Sequence, residues 1–315
     1  FVGSVKVGKM VMKTASDNLT PVILELGGKD PFIVCDDADP AALEQLACRG
    51  VYQNMGQNCA GPERFIVYDK VYDSFCSRVA AVVKQMKQGP PLSSPFIDAG
   101  ASCMPQAAEM YQSLVDEAVQ KGARVLAGGE VPKDRTGQFY PPTVLCDVTP
   151  DMLIAKEEIF GPIMCIFRVA NDDEAIHIAN DSAFGLSGCA HSGSHARAAA
   201  LCQRLDAGMA SVNDLEGTTY LSQSLPFGGL KDSGFGRFAG PEGLRGLCHM
   251  KSVVENRAAF LKPSIPPPIA YPSNGQGGLF CTALCQILYG YGLGQRATGV
   301  VNIIKASLPS KAKRD

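Results

Sequence analysis

No tryptophan occurs among the 315 residues, and that absence decides nothing about function. Other shortages exclude more. Charge of one sign is lacking: 29 Lys and Arg stand against 31 Asp and Glu, a formal net charge of -2, so composition carries no general signature of a nucleic-acid binder. The 12 cysteines contain no CxxC pair, which removes the spacing of a zinc ribbon, and their spread along so long a chain is unlike a small disulfide framework. A reducing, intracellular compartment is the expectation. Also missing are an initiator methionine and a basic leader before an apolar segment, so Phe1-Val2-Gly3-Ser4 reads as neither a natural start nor a secretory signal. It reads as a strand end entering a helix with Val7, Met10 and Val11, capped by Ser4, whose earlier half is expected upstream.

What is present is a 46% hydrophobic chain, long enough for a sizeable core and two domains. Strand and helix patterns alternate. Pro21–Leu26 and Pro31–Cys35 read as strands, Asp39-Pro40 opens an Ala- and Leu-rich helix, Arg64–Tyr68 is a strand, and a helix is expected from about Tyr72 to Lys87. The middle repeats this alternation: a helix from about Met104 to Lys121 precedes Ala123–Ala127, Tyr140–Leu145 leads to Asp147 and Pro150, Ile163–Phe167 is a strand, Asp172 through Ala179 a helix, and Met209–Val212 a strand. The order predicts an α/β layer fold, while periodicity leaves open which strands are neighbours.

Several clusters have an ordinary reading beside a chemical one. Asp36, Asp37 and Asp39 lack the later ligands of a calcium loop and fit a solvated turn and helix cap. His191 and His195 are spaced for one helical face, but no carboxylate set completes a metal site, so surface or cap roles are expected and no metal. Asn213–Ser224 reads as a polar loop. The glycines of Pro226-Phe227-Gly228-Gly229 and Lys231–Arg237 either bring backbone close to a ligand or form an irregular connector.

Gly56-Gln57-Asn58-Cys59 is the stretch best suited to chemistry. A cysteine in a polar, glycine-containing segment lacks the apolar run that would bury a core thiol, and N–H groups at a turn can stabilise negative charge beside it. By residue type alone Cys59 remains either nucleophile or structural thiol. Glu25-Leu26-Gly27-Gly28-Lys29 is its candidate partner.

Taken in order, these stretches carry a resemblance. Gly3-Ser4 with Gly8, Glu25–Lys29, Asn54 with Gly56-Gln57 and Cys59, Glu158-Ile159-Phe160-Gly161-Pro162, and Pro226–Gly229 with Lys231, Ser233, Gly234, Gly236 and Arg237 resemble the NAD(P)-dependent aldehyde dehydrogenase superfamily, from Phe1 through roughly Arg257. The resemblance implies Cys59 as the nucleophile that attacks an aldehyde, forms a thiohemiacetal and, after hydride transfer to NAD or NADP, a thioester. It implies Glu25 as the general base that activates the hydrolytic water. Glu158 would accept hydrogen bonds from the nicotinamide ribose, Phe160 would pack by the nicotinamide, and Gly3 and Ser4 would edge the pyrophosphate at a helix start. Lys29 matches a family position without an assigned proton-transfer role.

The same resemblance divides the chain into a remnant of the cofactor domain (1–27), a catalytic α/β domain (28–225), a return segment to the cofactor and oligomerisation region (226–262) and a Pro-rich, amphipathic tail (263–315). It implies that most of the dinucleotide-binding domain, with an oxyanion-supporting asparagine, belongs upstream of Phe1, and that the full-length parent is a homo-oligomer. Tyr52 stands where an aromatic residue, commonly Phe, precedes the cysteine, and its hydroxyl is expected to alter substrate packing. The tail, with Pro266-Pro267-Pro268, Leu279–Tyr289 as a short apolar or amphipathic segment, and terminal Lys311, Lys313 and Arg314, resembles a membrane-associated plant- and fungal-type branch. An interfacial association, cytoplasmic or at a cytosol-facing endomembrane, is the corresponding expectation. A non-catalytic protein retaining an aldehyde-dehydrogenase-like shell is the alternative.

Overall fold

The computed structural model describes residues 1–133, 137–215, 224–258, 260 and 262–308. The chain divides into two units, Phe1–His249 and Met250–Asp315, so the division falls ahead of the Pro-rich passage rather than within it.

The first unit is built on a seven-stranded sheet in the order β4-β5-β6-β3-β2-β8-β9. Its strands are β2 (Asp30–Val34), β3 (Pro62–Tyr68), β4 (Arg124–Ala127), β5 (Thr143–Cys146), β6 (Ile163–Val169), β8 (Cys189–His191) and β9 (Ser211–Val212). Only β4 runs antiparallel to its neighbour. Every residue of β2 and β3 is buried, which explains near-continuous apolar runs instead of alternation: a parallel sheet is covered on both faces. Helices α1 (Val5–Ser16), α2 (Pro40–Tyr52), α3 (Asp69–Val83), α4 (Ala107–Gln120), α5 (Leu153–Lys156), α6 (Asp172–Asn180), α7 (His195–Arg204) and α8 (Gly240–Gly246) alternate with or flank the strands.

Capping follows the sequence closely. Ser4 Oγ accepts the Val7 N–H at 3.5 Å, Asp39 Oδ1 accepts the Ala41 N–H at 2.9 Å, and Asn171 Oδ1 accepts the Glu174 N–H at 3.0 Å. Asp36 and Asp37 face Arg197, at 2.6 and 3.4 Å from Nη1, so the acidic turn is neutralised by a side chain from α7. Helix α3 starts directly at Asp69 and ends at Val83, earlier than periodicity indicates at both ends.

Short strands outside the large sheet depart most from expectation. β1 covers only Leu24–Glu25, because its partner β11 (Gly234–Phe235) offers just two residues of antiparallel pairing. β10 (Leu230–Lys231) pairs in the same way with β7 (Phe184–Gly185). The glycine-rich return segment is therefore a clamp on two other parts of the chain. Most of the expected Asn213–Ser224 loop lies outside the described residues.

His191 and His195 share no helical face. His191 is 2% exposed on β8, its ring stacked on Phe32 at 4.3 Å between centroids, while His195 begins α7. Burial pushes the His191 imidazole down to about 4, with Asp214 opposing the shift, and its Nε2 has no partner among the described residues. The folded state thus binds this proton less readily than the unfolded one. The resulting stability is complete above the ordinary histidine range and is lost as pH falls from about 6.5 towards 4, on the order of 3 kcal/mol at most. In His191→Phe, which keeps a ring against Phe32, the loss of Tm across that pH interval is expected to shrink. Superimposable acid profiles for variant and wild type would rule the histidine out as its source.

The second unit contains a 3-10 turn at Pro267–Ile269 and two helices, α9 (Gly277–Tyr289) and α10 (Gly292–Ser307), that pack as a hairpin. The second of these was not anticipated. Gly299 is what allows their approach: a Cβ there would lie 2.8 Å from the Ala283 carbonyl oxygen. Asn302 Nδ2 donates to Gln286 Oε1 at 3.3 Å across the pair. Among the described residues no helix is long and apolar enough to cross a membrane. Terminal Lys311, Lys313 and Arg314 lie outside the described residues.

Candidate active site

β6, β3 and β2 are adjacent and parallel, so the segments that enter them meet at one edge of the sheet. Those segments are Glu158–Pro162, Asn54–Gly61 and Glu25–Lys29. The candidate residues therefore gather at the amino ends of the strands, the opposite edge from the one where open α/β sheets commonly hold ligands.

Backbone fit explains the glycines. A Cβ on Gly28 would collide with the Cys59 carbonyl oxygen, one on Gly27 with the Glu158 carboxylate, and one on Gly56 with the Gly161 carbonyl oxygen. Each motif is closed against another by a missing side chain. The Cys59 loop also carries consecutive left-handed residues, Asn54 (φ 53°), Met55 (φ 60°) and Gly56 (φ 68°). Reciprocal amide bonds hold it: Asn54 Nδ2 donates to the Gln57 carbonyl and Gln57 Nε2 to the Asn54 carbonyl, both at 3.0 Å. Gln57 Oε1 also accepts the Cys103 N–H at 2.7 Å.

Glu25 is held from both sides. Its N–H donates to the Phe1 carbonyl at 2.9 Å and its carbonyl accepts the Gly3 N–H at 3.1 Å, while Gly234 pairs with it across β11. Leu26 N–H donates to the Ser233 carbonyl at 3.0 Å, and Ser233 Oγ accepts the Gly185 N–H at 3.0 Å. Gly3 and Ser4 thus lie beside the base strand, Gly3 paired through its main chain and Ser4 committed to capping α1.

The two candidate catalytic side chains face each other. Glu25 is 3% exposed, and its Oε1 has no hydrogen-bond partner among the described residues. Burial raises its carboxyl above the usual range, and polar contact with the Cys59 thiol draws it partly back. The Cys59 thiol is pushed up to about 12, first by burial and then by the neighbouring Glu25 carboxylate, with the Ala60 N–H opposing. The thiol is held protonated beside the Glu25 carboxyl, whose ionised form is a proton acceptor placed where a nucleophile must be uncovered.

Glu158 and Phe160 stand on the adjoining turn. Glu158 Oε1 accepts the Gly28 N–H at 3.0 Å. Burial, then the nearby Glu63 charge, lifts its carboxyl to about 7. Phe160 adopts φ 49°, unusual for a residue with a bulky side chain, and its carbonyl accepts the Tyr111 hydroxyl at 2.7 Å. Two side chains secure this turn. Glu63 Oε1 accepts the N–H groups of Ile159 and Phe160 at 3.1 and 2.8 Å, and Lys29 Nζ donates to Glu63 Oε2 at 2.6 Å.

Residues 1–253 match the aldehyde dehydrogenase family. The chain belongs to that family. An aldehyde-dehydrogenase-like protein of Schizosaccharomyces pombe is 41% identical over 279 residues, covering 86% of this chain and 52% of that protein. Succinate-semialdehyde dehydrogenase [NADP(+)] of Deinococcus radiodurans is 41% identical over 253 residues, 80% of this chain and 52% of the relative. The structure of betaine aldehyde dehydrogenase from Staphylococcus aureus in complex with NAD+ aligns at TM-score 0.73 and 34% identity, covering 78% of this chain and 48% of that one. The chain spans about half the length of the curated relatives it matches.

Within this aldehyde dehydrogenase chain, Tyr52 departs from the sequence reading. It is 3% exposed at the end of α2, and its hydroxyl donates to the Thr143 carbonyl at 2.8 Å, so the oxygen is engaged in the core instead of in substrate packing. Glu63 is the residue that sequence reasoning missed. A signal existed: Glu63-Arg64 and Lys29-Asp30 place charges at the mouths of two apolar, fully buried strands, where a charge requires a partner. Arg64 meets that requirement by donating to the carbonyls of Lys29, Ile178 and Ala179 at 2.7–2.8 Å, and Asp30 by accepting from Ser187. Among the described residues no cluster of His, Cys, Asp or Glu could hold a metal ion.

Proposed function

We propose that the whole protein oxidises an aldehyde to a carboxylic acid with NAD or NADP, and that Cys59 and Glu25 perform the covalent and hydrolytic steps. The observation that carries this reading is the buried Glu25 carboxyl set against the Cys59 thiol, with one of its oxygens unpartnered among the described residues.

The residues present suit a nicotinamide cofactor. Glu158 keeps one oxygen on the Gly28 N–H, and its other oxygen takes no hydrogen bond from any described residue, which leaves an acceptor for ribose hydroxyls. Phe160 is partly exposed beside it and offers a ring face. Gly3 and Ser4, at the start of α1, complete the proposed cofactor-binding set; the Ser4 side chain already caps that helix. When bound, the cofactor supplies the hydride acceptor.

Cys59 Sγ gives up its proton to the Glu25 carboxylate and attacks the carbonyl carbon; the carbonyl π pair moves to oxygen, which takes up that proton, so a thiohemiacetal forms and Glu25 is ionised again. After oxidation the sulfur carries the acyl group as a thioester. Glu25 then takes a proton from water, the hydroxide oxygen bonds to the thioester carbon, the C–S bond breaks, and the carboxylic acid leaves with the thiol regenerated. Turnover limited by this step should rise with pH through a value above the ordinary carboxylate range, because burial raises the Glu25 carboxyl.

We propose a reducing intracellular compartment and a homo-oligomer, and assign the Leu279–Tyr289 segment of the tail an interfacial role at a cytosol-facing membrane. The functional test is direct. Full-length protein given a panel of aldehydes with NAD or NADP should reduce the cofactor and, on rapid acid quench, carry an acyl group on the Cys59 peptide by mass spectrometry. No adduct at Cys59 with any pairing would favour the non-catalytic shell.

A further inference from the structure

The geometry points to a role for a pair that takes no part in the covalent chemistry: the buried Lys29–Glu63 ion pair positions the Glu158–Phe160 turn and sets the electrostatic field in which the Glu158 carboxylate meets the cofactor ribose. This inference rests on the cofactor reading proposed above.

The pair is shielded almost completely, with side-chain exposures of 0% for Lys29 and 5% for Glu63 at 2.6 Å. Burying two charges is costly, and a buried pair is by itself weak evidence of stabilisation. Here it has a further use. Glu63 Oε1 and Oε2 accept the Ile159 N–H at 3.1 and 3.0 Å, and Oε1 accepts the Phe160 N–H at 2.8 Å. These bonds anchor the left-handed backbone of Phe160 and, two residues earlier in the chain, the residue that carries the Glu158 carboxylate. Without an acceptor there, two buried N–H groups would be orphaned, and the turn would relax towards ordinary backbone angles.

The field follows from the same placement. The groups that face Glu158 are Glu63 on β3, Lys29 ahead of β2, Glu25 on β1 and the Gly28 N–H; Glu63 and Glu25 favour its protonated form, while Lys29 and Gly28 favour the charged one. Behind them stand Asp30 and Arg64, which act on Glu63 and on each other. With the carboxyl lifted to about 7, the ionised acceptor for ribose hydroxyls is complete above neutrality and fades below it.

The test is binding of NADH and NADPH to the full-length protein, followed by nucleotide fluorescence between pH 5.5 and 9. Wild-type affinity is expected to fall as pH drops through about 7. Glu63→Gln keeps an oxygen for the N–H groups but removes the charge, and should move that inflection down by about one pH unit and weaken binding at high pH about tenfold. Lys29→Gln should move it up by a similar amount. The charge-neutral pair Lys29→Met with Glu63→Leu should weaken binding while leaving the inflection near the wild-type position, and provides a folded comparison should a single variant fail. One common inflection in wild type and variants, or a flat wild-type profile, would overturn the role of the pair while leaving the oxidation intact. A wild type that binds neither nucleotide overturns the functional reading, and this inference with it.

Discussion

Cys59→Ser in the full-length protein is expected to abolish aldehyde oxidation while leaving nucleotide binding close to wild type. The hydroxyl is a far weaker nucleophile than a thiol, and Glu25 alone cannot ionise it, so a fall of at least about 1000-fold in turnover is expected. Affinity should be spared because Glu158 and Phe160 lie on another segment of the edge, held by Glu63 and Lys29 and not by the thiol. Steady-state NAD(P)H production together with nucleotide titration separates the two effects. Retained turnover would remove Cys59 from the mechanism, and eleven other cysteines would return as candidates, of which Cys35, Cys48, Cys76, Cys146, Cys165, Cys189 and Cys202 are buried.

Glu25→Gln should separate acylation from release. Loss of the base is expected to lower steady-state turnover about 100- to 10,000-fold, with a residual burst of reduced cofactor and an acyl-enzyme that accumulates on Cys59. The geometry adds a second effect of opposite sign. Because the Glu25 carboxylate raises the Cys59 thiol, both through their polar contact and through charge, its neutralisation should lower the pH at which Cys59 is alkylated by iodoacetamide. A more reactive thiol in a slower enzyme is difficult to obtain from general unfolding. Rapid acyl release in this variant, or a thiol whose alkylation profile does not move, would count against the assigned partnership.

Much of the candidate site was legible before the fold. Polar, glycine-rich stretches around Cys59 and after Glu25 do not bury themselves, and their ordered recurrence with Glu158–Pro162 and Pro226–Arg237 carried the resemblance that names them. The reason for each glycine was not legible. Gly27, Gly28 and Gly56 are required by atoms of Glu158, Cys59 and Gly161, far away in sequence, and no local propensity encodes such contacts. Errors have similar causes. The Tyr52 hydroxyl, expected to alter substrate packing, donates to the Thr143 carbonyl in the core, and His191, expected at the surface or in a cap, lies on β8 against Phe32.

The sequence by itself determined the alternation of strands and helices and the helix caps at Ser4 and Asp39, because these depend on side-chain type and on neighbours a few residues away; the thiol and carboxylates proposed for the chemistry came from the family resemblance. Only the tertiary structure decided that β6, β3 and β2 lie side by side and deliver those groups to one edge, and that Glu63 reaches back to Lys29 and forward to the Phe160 turn. Strand order and the pairing of buried charges are settled by packing across the whole sheet, where an unpaired charge or an orphaned N–H costs more than any local preference can return.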